Sequence, residues 1–297
     1  MSSVFLKNSE NLQLFNNANI SASVLQYYTR ELYLQNPDFS PLRLPPELLC
    51  QSPSSMFVPL GDADIQTILT KINNFCTEFN PEVTAVLVAK FPNITTDAIQ
   101  KLGSQCVGLT VGQINSAPSN VLNTTLSTLS IISGWDQGQL NALIQSIISS
   151  GFNIDSASSV LSLGTLIGGV PSATISILPS SQIMSLSQNV TFINNILSAP
   201  VILQETFVQK VISVDQTEVI QNVPDALVMY IPLVLLTSLS SVEISLINNK
   251  SWSHEQAMML FGAVASASDN PEDLSPSVLQ GFSCGSVQTL PIQKPKI

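Results

Sequence analysis

One stretch of the sequence recurs in a second version, 61 residues further along. Residues 102–122 read LGSQCVGLTVGQINSAPSNVL, and residues 163–183 read LGTLIGGVPSATISILPSSQI. Both begin with Leu-Gly and keep a Gly, an Ile and a Pro-Ser pair at matching places. Such a spacing is typical of a repeat protein, in which each copy buries its apolar face only against its neighbours.

The recurring pattern is helical. Residues 140–148 place apolar side chains at i, i+3, i+4, i+7 and i+8, which is one face of an α-helix. Asp136 with Gln139, and Ser253 with Gln256, predict capping boxes at the starts of two equivalent helices.

A third copy lies between these two helices. The apolar positions 143, 144, 147 and 148 recur 64 residues later, at 207, 208, 211 and 212. They recur again 53 residues beyond that, at 260, 261, 264 and 265. The 53-residue shift also pairs Val170 with Val223, Ile175 with Val228, Pro179 with Pro232, and 185–187 with 238–240. The sequence therefore predicts units that start near residues 99, 160 and 219, and a truncated unit near 278.

These repeats predict an all-α fold, a solenoid of stacked short helices over 61–297. A helical bundle with coincidental matches is the alternative. Residues 1–60 are rich in proline and are expected to form an irregular N-terminal segment or a cap.

Charged residues make up only 10% of the chain, and the net charge is −10. Without a cluster of Lys and Arg, a nucleic-acid partner is not expected. The longest apolar run, 226–236, is well short of the ~20 residues that a transmembrane helix needs. The sequence shows neither a signal peptide nor a hydrophobic anchoring tail.

The sequence indicates the secretory route through its glycosylation motifs. Asn-x-Ser/Thr sequons, which would carry N-linked glycans, occur at Asn19, Asn93, Asn123, Asn189 and Asn249. Scarce surface charge fits a protein whose solubility is supported by glycans.

Four cysteines allow three disulfide connectivities. Cys50 and Cys76 are close enough in sequence to form a bond. Cys106 and Cys284 are separated by the whole repeat region, so we expect that they do not bond to each other. The alternative to any disulfide for Cys106 and Cys284 is burial as small apolar side chains.

No pattern of catalytic residues is present. His254, the single histidine, is expected to be an exposed residue of a helix's first turn. The acidic stretch 269–273 lacks the spacing of a calcium loop and is expected to be solvated. No cofactor or metal site is predicted, and the chain is not expected to be an enzyme.

Trp135 and Trp252 occupy the same repeat position, four residues before Gln139 and Gln256. We expect both rings to be mostly buried as packing elements. The alternative is that they are exposed anchors for a partner.

The repeats resemble the mesothelin family, which includes stereocilin- and otoancorin-like proteins. The resemblance covers roughly 80–290 and rests on 102–106, the Pro-led helices, 223–232, and above all 252–260 and 274–284. It implies a right-handed armadillo-like superhelix. It also implies a non-enzymatic, N-glycosylated protein at the cell surface, membrane-associated through a lipid anchor, with a role in cell–cell or cell–matrix adhesion.

The expected partner is therefore a protein or glycoprotein at the cell surface, with mucin-like glycoproteins among the candidates. An intracellular α-solenoid scaffold, with unused sequons and reduced cysteines, is the alternative. The truncated last unit favours a fragment of a longer protein.

Overall fold

A computed structural model describes residues 8–16, 19–78, 80–239, 242–268 and 270–282. Throughout these ranges the regular elements are α-helices and short 3₁₀ helices, and the described residues contain no strand. The expected all-α class is thus confirmed.

The α-helices follow one another in chain order as α1 (Ser9–Leu12), α2 (Ala22–Gln35), α3 (Pro46–Cys50), α4 (Asp62–Phe75), α5 (Pro81–Ala89), α6 (Thr96–Leu102), α7 (Val111–Ser116), α8 (Ser119–Thr124), α9 (Leu126–Leu129), α10 (Gln137–Ser149), α11 (Ala157–Ser162), α12 (Ser172–Ser176), α13 (Ser180–Ser187), α14 (Val190–Ile196), α15 (Val201–Val214), α16 (Val219–Asn222), α17 (Leu233–Thr237), α18 (Ile244–Asn248), α19 (His254–Ala267) and α20 (Pro276–Leu279). The 3₁₀ helices are Gln13–Phe15, Pro41–Arg43, Ser54–Met56, Gly103–Gly108, Gly164–Gly169, Asp225–Tyr230 and Pro271–Asp273.

The chain divides into two compact units, Met1–Phe152 and Asn153–Ile297. The boundary at 60/61 that the proline content suggested stays a prediction. Within the first unit, α2 is 14 residues long and buries Leu25 and Leu32. The described part of residues 1–60 therefore contains regular helices, because its prolines lie between helices or at a helix's first residue, as Pro41 and Pro46 do.

Three six-residue 3₁₀ helices mark the repeat. They begin at Gly103, Gly164 and Asp225, so successive copies are 61 residues apart. The fourth residue of each is Cys106, Ile167 or Val228, and all three side chains are buried. Each 3₁₀ helix follows a short helix, α6, α11 or α16, close to the predicted unit starts.

The structure corrects part of the predicted alignment. With 61-residue spacing, Val170 corresponds to Ile231 rather than Val223, and Pro171 rather than Pro179 corresponds to Pro232. The 53-residue shift holds for the long helices, since α15 begins at Val201 and α19 at His254. The predicted match of 185–187 with 238–240 stays a prediction, because residue 240 lies outside the described residues.

The third repeat is shorter than the second as a result. The second repeat has α13 between α12 and α14, whereas no helix appears in the described residues between α17 and α18. Repeat proteins tolerate such differences in connection length because each unit needs only to bury its apolar face on the next.

The long helices begin as the sequence indicates. Capping boxes form at Asp136 with Gln139 and at Ser253 with Gln256. Pro200 takes the corresponding N-cap position of α15. Pro118, Pro179 and Pro232 are also N-cap residues, one position before the first-turn place that their recurrence suggested.

The two capping glutamines also reach a 3₁₀ helix. The Gln139 Nε2 donates to the carbonyls of Val107 and Leu109, each at 2.7 Å. The Gln256 Nε2 donates in the same manner to the carbonyls of Val228 and Ile231, at 2.8 and 3.2 Å. Each amide therefore caps the start of a long helix with its oxygen and binds the end of a 3₁₀ helix with its nitrogen.

Candidate modification and interaction sites

His254 is the first residue of α19 and is exposed, as expected. It lies beside Glu255, whose pKa is lowered by a backbone hydrogen bond, by the Ser253 hydroxyl and by the charge of His254. Across the described part of the chain, no group of three or more His, Cys, Asp or Glu residues could hold a metal ion. The acids that precede α20 include Glu272 and Asp273, both exposed, whereas Asp269 lies outside the described residues.

Cys50 and Cys76 are joined by a disulfide, with their Cα atoms 5.4 Å apart. Cys50 ends α3 and Cys76 follows the last residue of α4, so the bond ties the ends of two packed helices. Both cysteines are half-buried and border an open cleft of about 590 Å³. This is the pair that sequence proximity favoured.

Cys106 is a free thiol with no exposed surface. Burial raises the pKa of the Cys106 thiol to about 12. The Cys106 Sγ lies 3.7 Å from the Ile99 carbonyl oxygen. A thiol that is both buried and protonated is a packing side chain rather than a nucleophile. Cys284 lies outside the described residues, so its expected lack of a bond to Cys106 stays a prediction.

The five sequon asparagines are accessible to differing degrees. Asn19, Asn93 and Asn249 are exposed, and Asn123 and Asn189 are half-buried. The Asn189 Oδ1 accepts a hydrogen bond from the Phe192 N–H and so caps α14. Because a glycan is attached through Nδ2, this cap leaves the attachment atom uninvolved.

The two tryptophans differ in their environments. Trp252 is 4% exposed, and its Nε1 donates to the Ile247 carbonyl at 2.9 Å. Trp135 is half-buried, and its buried Nε1 has no hydrogen-bond partner. The expected burial therefore holds for Trp252 and only partly for Trp135.

An open groove of about 430 Å³ lies between α15 and the start of α19. Its floor is the segment from Met229 to Leu233, and it is bordered by Glu205 and Glu255. Met229 and Leu233 are both exposed. Reasoning from the repeat missed this groove, because its exposed side chains differ from those at the matching positions of the other units.

Among the described helices, none has both the length and the apolar content to cross a bilayer.

Comparisons with known proteins give limited support. No family model matches the chain, and no solved structure matches it. Otoancorin from Mus musculus is 23% identical to it over 201 residues, which cover 65% of this chain. The chain spans only 17% of the length of this relative. The match agrees with an otoancorin-like relation and leaves the wider mesothelin family as a resemblance.

Proposed function

We propose that this chain is a non-enzymatic module of an extracellular, cell-surface glycoprotein. In this proposal it binds a protein or glycoprotein in cell–cell or cell–matrix adhesion. The family resemblance supplies the adhesion role, and the similarity to otoancorin supports it weakly.

The observation that carries the proposed compartment is the bond between Cys50 and Cys76. Stable disulfides form in the secretory pathway and outside the cell, whereas cytosolic thiols are kept reduced. The accessible sequons at Asn19, Asn93 and Asn249 agree with the same compartment. Uncharged polar residues and glycans would together keep such a surface soluble.

The compartment can be tested by expressing the chain behind a secretion signal. Its mass is measured before and after treatment with peptide N-glycosidase, and its thiols are counted after unfolding without reductant. We expect a fall in mass and two thiols, those of Cys106 and Cys284. A control chain with all five sequon asparagines changed to Gln should show no mass change.

The alternative is the intracellular α-solenoid scaffold. An unchanged mass together with four free thiols would support it and would exclude the extracellular proposal. Adhesion is tested separately by coating a surface with the secreted protein and counting the cells that remain attached after washing. Attachment equal to that on urea-unfolded protein would contradict a specific adhesive role.

The finer architecture is also a proposal. The family resemblance implies a right-handed armadillo-like superhelix, and the 61-residue spacing of the 3₁₀ helices supports the underlying array of repeats. Small-angle X-ray scattering tests it, because a superhelix gives a larger radius of gyration than the roughly 19 Å of a compact 297-residue chain.

A further inference from the structure

The groove between α15 and α19 carries exposed side chains that the repeat does not need. Met229 is 64% exposed, and the matching positions of the other two units, 61 and 122 residues earlier, hold Gly168 and Val107. Glu255 corresponds to Gly138 in α10 and to Ile202 in α15. The first two repeats pack without a Met or a Glu at these positions. Packing therefore does not explain why the third repeat carries Met229 and Glu255.

The groove is acidic as well as apolar. Glu205 on α15 and Glu255 on α19 border it, and none of its lining residues is basic. Hydrogen bonds hold the Glu255 carboxylate in its charged form, since the pKa of Glu255 is lowered. Negative charge beside an exposed Met229 and Leu233 is complementary to a positive head group on an apolar stem.

We propose that this groove binds an extended peptide segment of a protein partner in which a basic residue lies beside an apolar one. The basic head group would contact the carboxylates of Glu205 and Glu255, and the apolar side chain would pack on Met229 and Leu233. The groove volume of about 430 Å³ accommodates two such side chains. This inference rests on the proposed function, because it specifies the chemistry of the partner.

Charge argues for a different protein rather than a second copy of this chain. The sequence has 20 acidic and 10 basic residues. Lys71, Lys90, Lys101 and Lys250 are already bonded within the chain. A second copy carries the same excess of acidic residues and is therefore a poor electrostatic match for an acidic groove, and an anionic glycan would be repelled by it.

The test uses a fluorescent peptide, acetyl-Gly-Ser-Leu-Lys-Leu-Arg-Ser-Gly-amide, and fluorescence anisotropy on the secreted full chain at low salt. Two matched peptides replace either both basic residues with Glu or both leucines with Ser. We expect the first peptide to bind more tightly than either. Glu205→Gln with Glu255→Gln should weaken its binding about five- to tenfold, and Met229→Ser about fivefold.

The control chain carries Glu218→Gln with Glu272→Gln, which removes the same charge from exposed sites outside the groove. Its affinity should stay within about twofold of the unchanged chain. The proposal is overturned if the acidic peptide binds equally well, or if the groove and control variants behave alike. It is also overturned if sedimentation shows self-association that the groove variants abolish. The glycosidase and thiol results do not depend on the groove, so either proposal can fail without the other.

Discussion

Gln256 shows at the scale of one residue how a buried polar side chain joins two elements. Its Oε1 accepts from the Ser253 N–H, while its Nε2 donates to the carbonyls of Val228 and Ile231. Leu in its place fills a similar volume but removes the bond from the Ser253 N–H and both donated bonds, while the bond from the backbone N–H of residue 256 to the Ser253 hydroxyl is kept. We expect Gln256→Leu to lower the free energy of unfolding by about 2 kcal/mol in urea denaturation.

The matched control for this change is Gln209→Leu on α15, because Gln209 is exposed and the structure gives it no comparable bonds. Its effect should stay within about 0.5 kcal/mol. Equal losses for the two variants would mean that the Gln256 amide does not hold the 3₁₀ helix.

The two tryptophans should differ in how much each stabilises the fold. Trp252→Phe leaves the Ile247 carbonyl without the indole donor and leaves space in a buried site, so we expect a loss of about 2 kcal/mol. Trp135→Phe should cost less than about 1 kcal/mol, because the Trp135 Nε1 has no partner to lose. Each variant also leaves a single fluorescent tryptophan.

Iodide quenching of the two single-tryptophan chains provides the second measurement. The chain that retains Trp135 should be quenched more readily than the one that retains Trp252. The reverse order would show that burial at the two repeat positions has been assigned incorrectly.

At the scale of elements, the sequence was most informative where the signal is local. The pairs Asp136 with Gln139 and Ser253 with Gln256 identify helix starts because a cap involves residues only three positions apart. The alignment of Val170 with Val223 was wrong because an insertion and a deletion are invisible when Ser and Leu recur throughout. The groove was not predictable, since Glu205, Met229 and Glu255 come together only in three dimensions.

Two glycines test how closely the elements pack. A Cβ at Gly281 would collide with the Ala257 carbonyl and lie 2.8 Å from the Met258 nitrogen, both in the backbone of α19. Gly281→Ala should therefore destabilise the second compact unit, which begins at Asn153, by at least about 2 kcal/mol. The Cβ of Gly262→Ala, on the exposed face of the same helix, meets nothing within 4 Å.

Gly262→Ala is the control, and it should stabilise the protein by about 0.5 to 1 kcal/mol through helix propensity. Thermal unfolding of the two variants should therefore give shifts of opposite sign. Shifts of the same sign would contradict the close approach of the chain to α19 at Gly281.

At the scale of the whole molecule, the distribution of charge follows from the few cations available. The Lys250 Nζ is buried and lies 2.6 Å from the Asp225 carboxylate. The Lys90 Nζ donates to the carbonyls of Val58 and Leu60, much as the Gln139 Nε2 donates to the carbonyls of Val107 and Leu109. Since four lysines of the described residues bond within the fold and the net charge is −10, a partner should be neutral or basic.

The disulfide between Cys50 and Cys76 lies within the first of the two compact units, so its loss should affect that unit alone. The bond closes a 26-residue separation, for which the loss of loop entropy corresponds to about 3.5 kcal/mol. Cys50→Ser with Cys76→Ser should therefore lower the stability of residues 8–152 and leave residues 153–282 unchanged. Native-state hydrogen exchange read by peptide measures both units in one sample, so the second unit is the internal control. Exchange that increases equally in the two units would show that they unfold as one cooperative body, whereas unchanged exchange near Cys50 and Cys76 would show that α3 and α4 pack firmly without the bond.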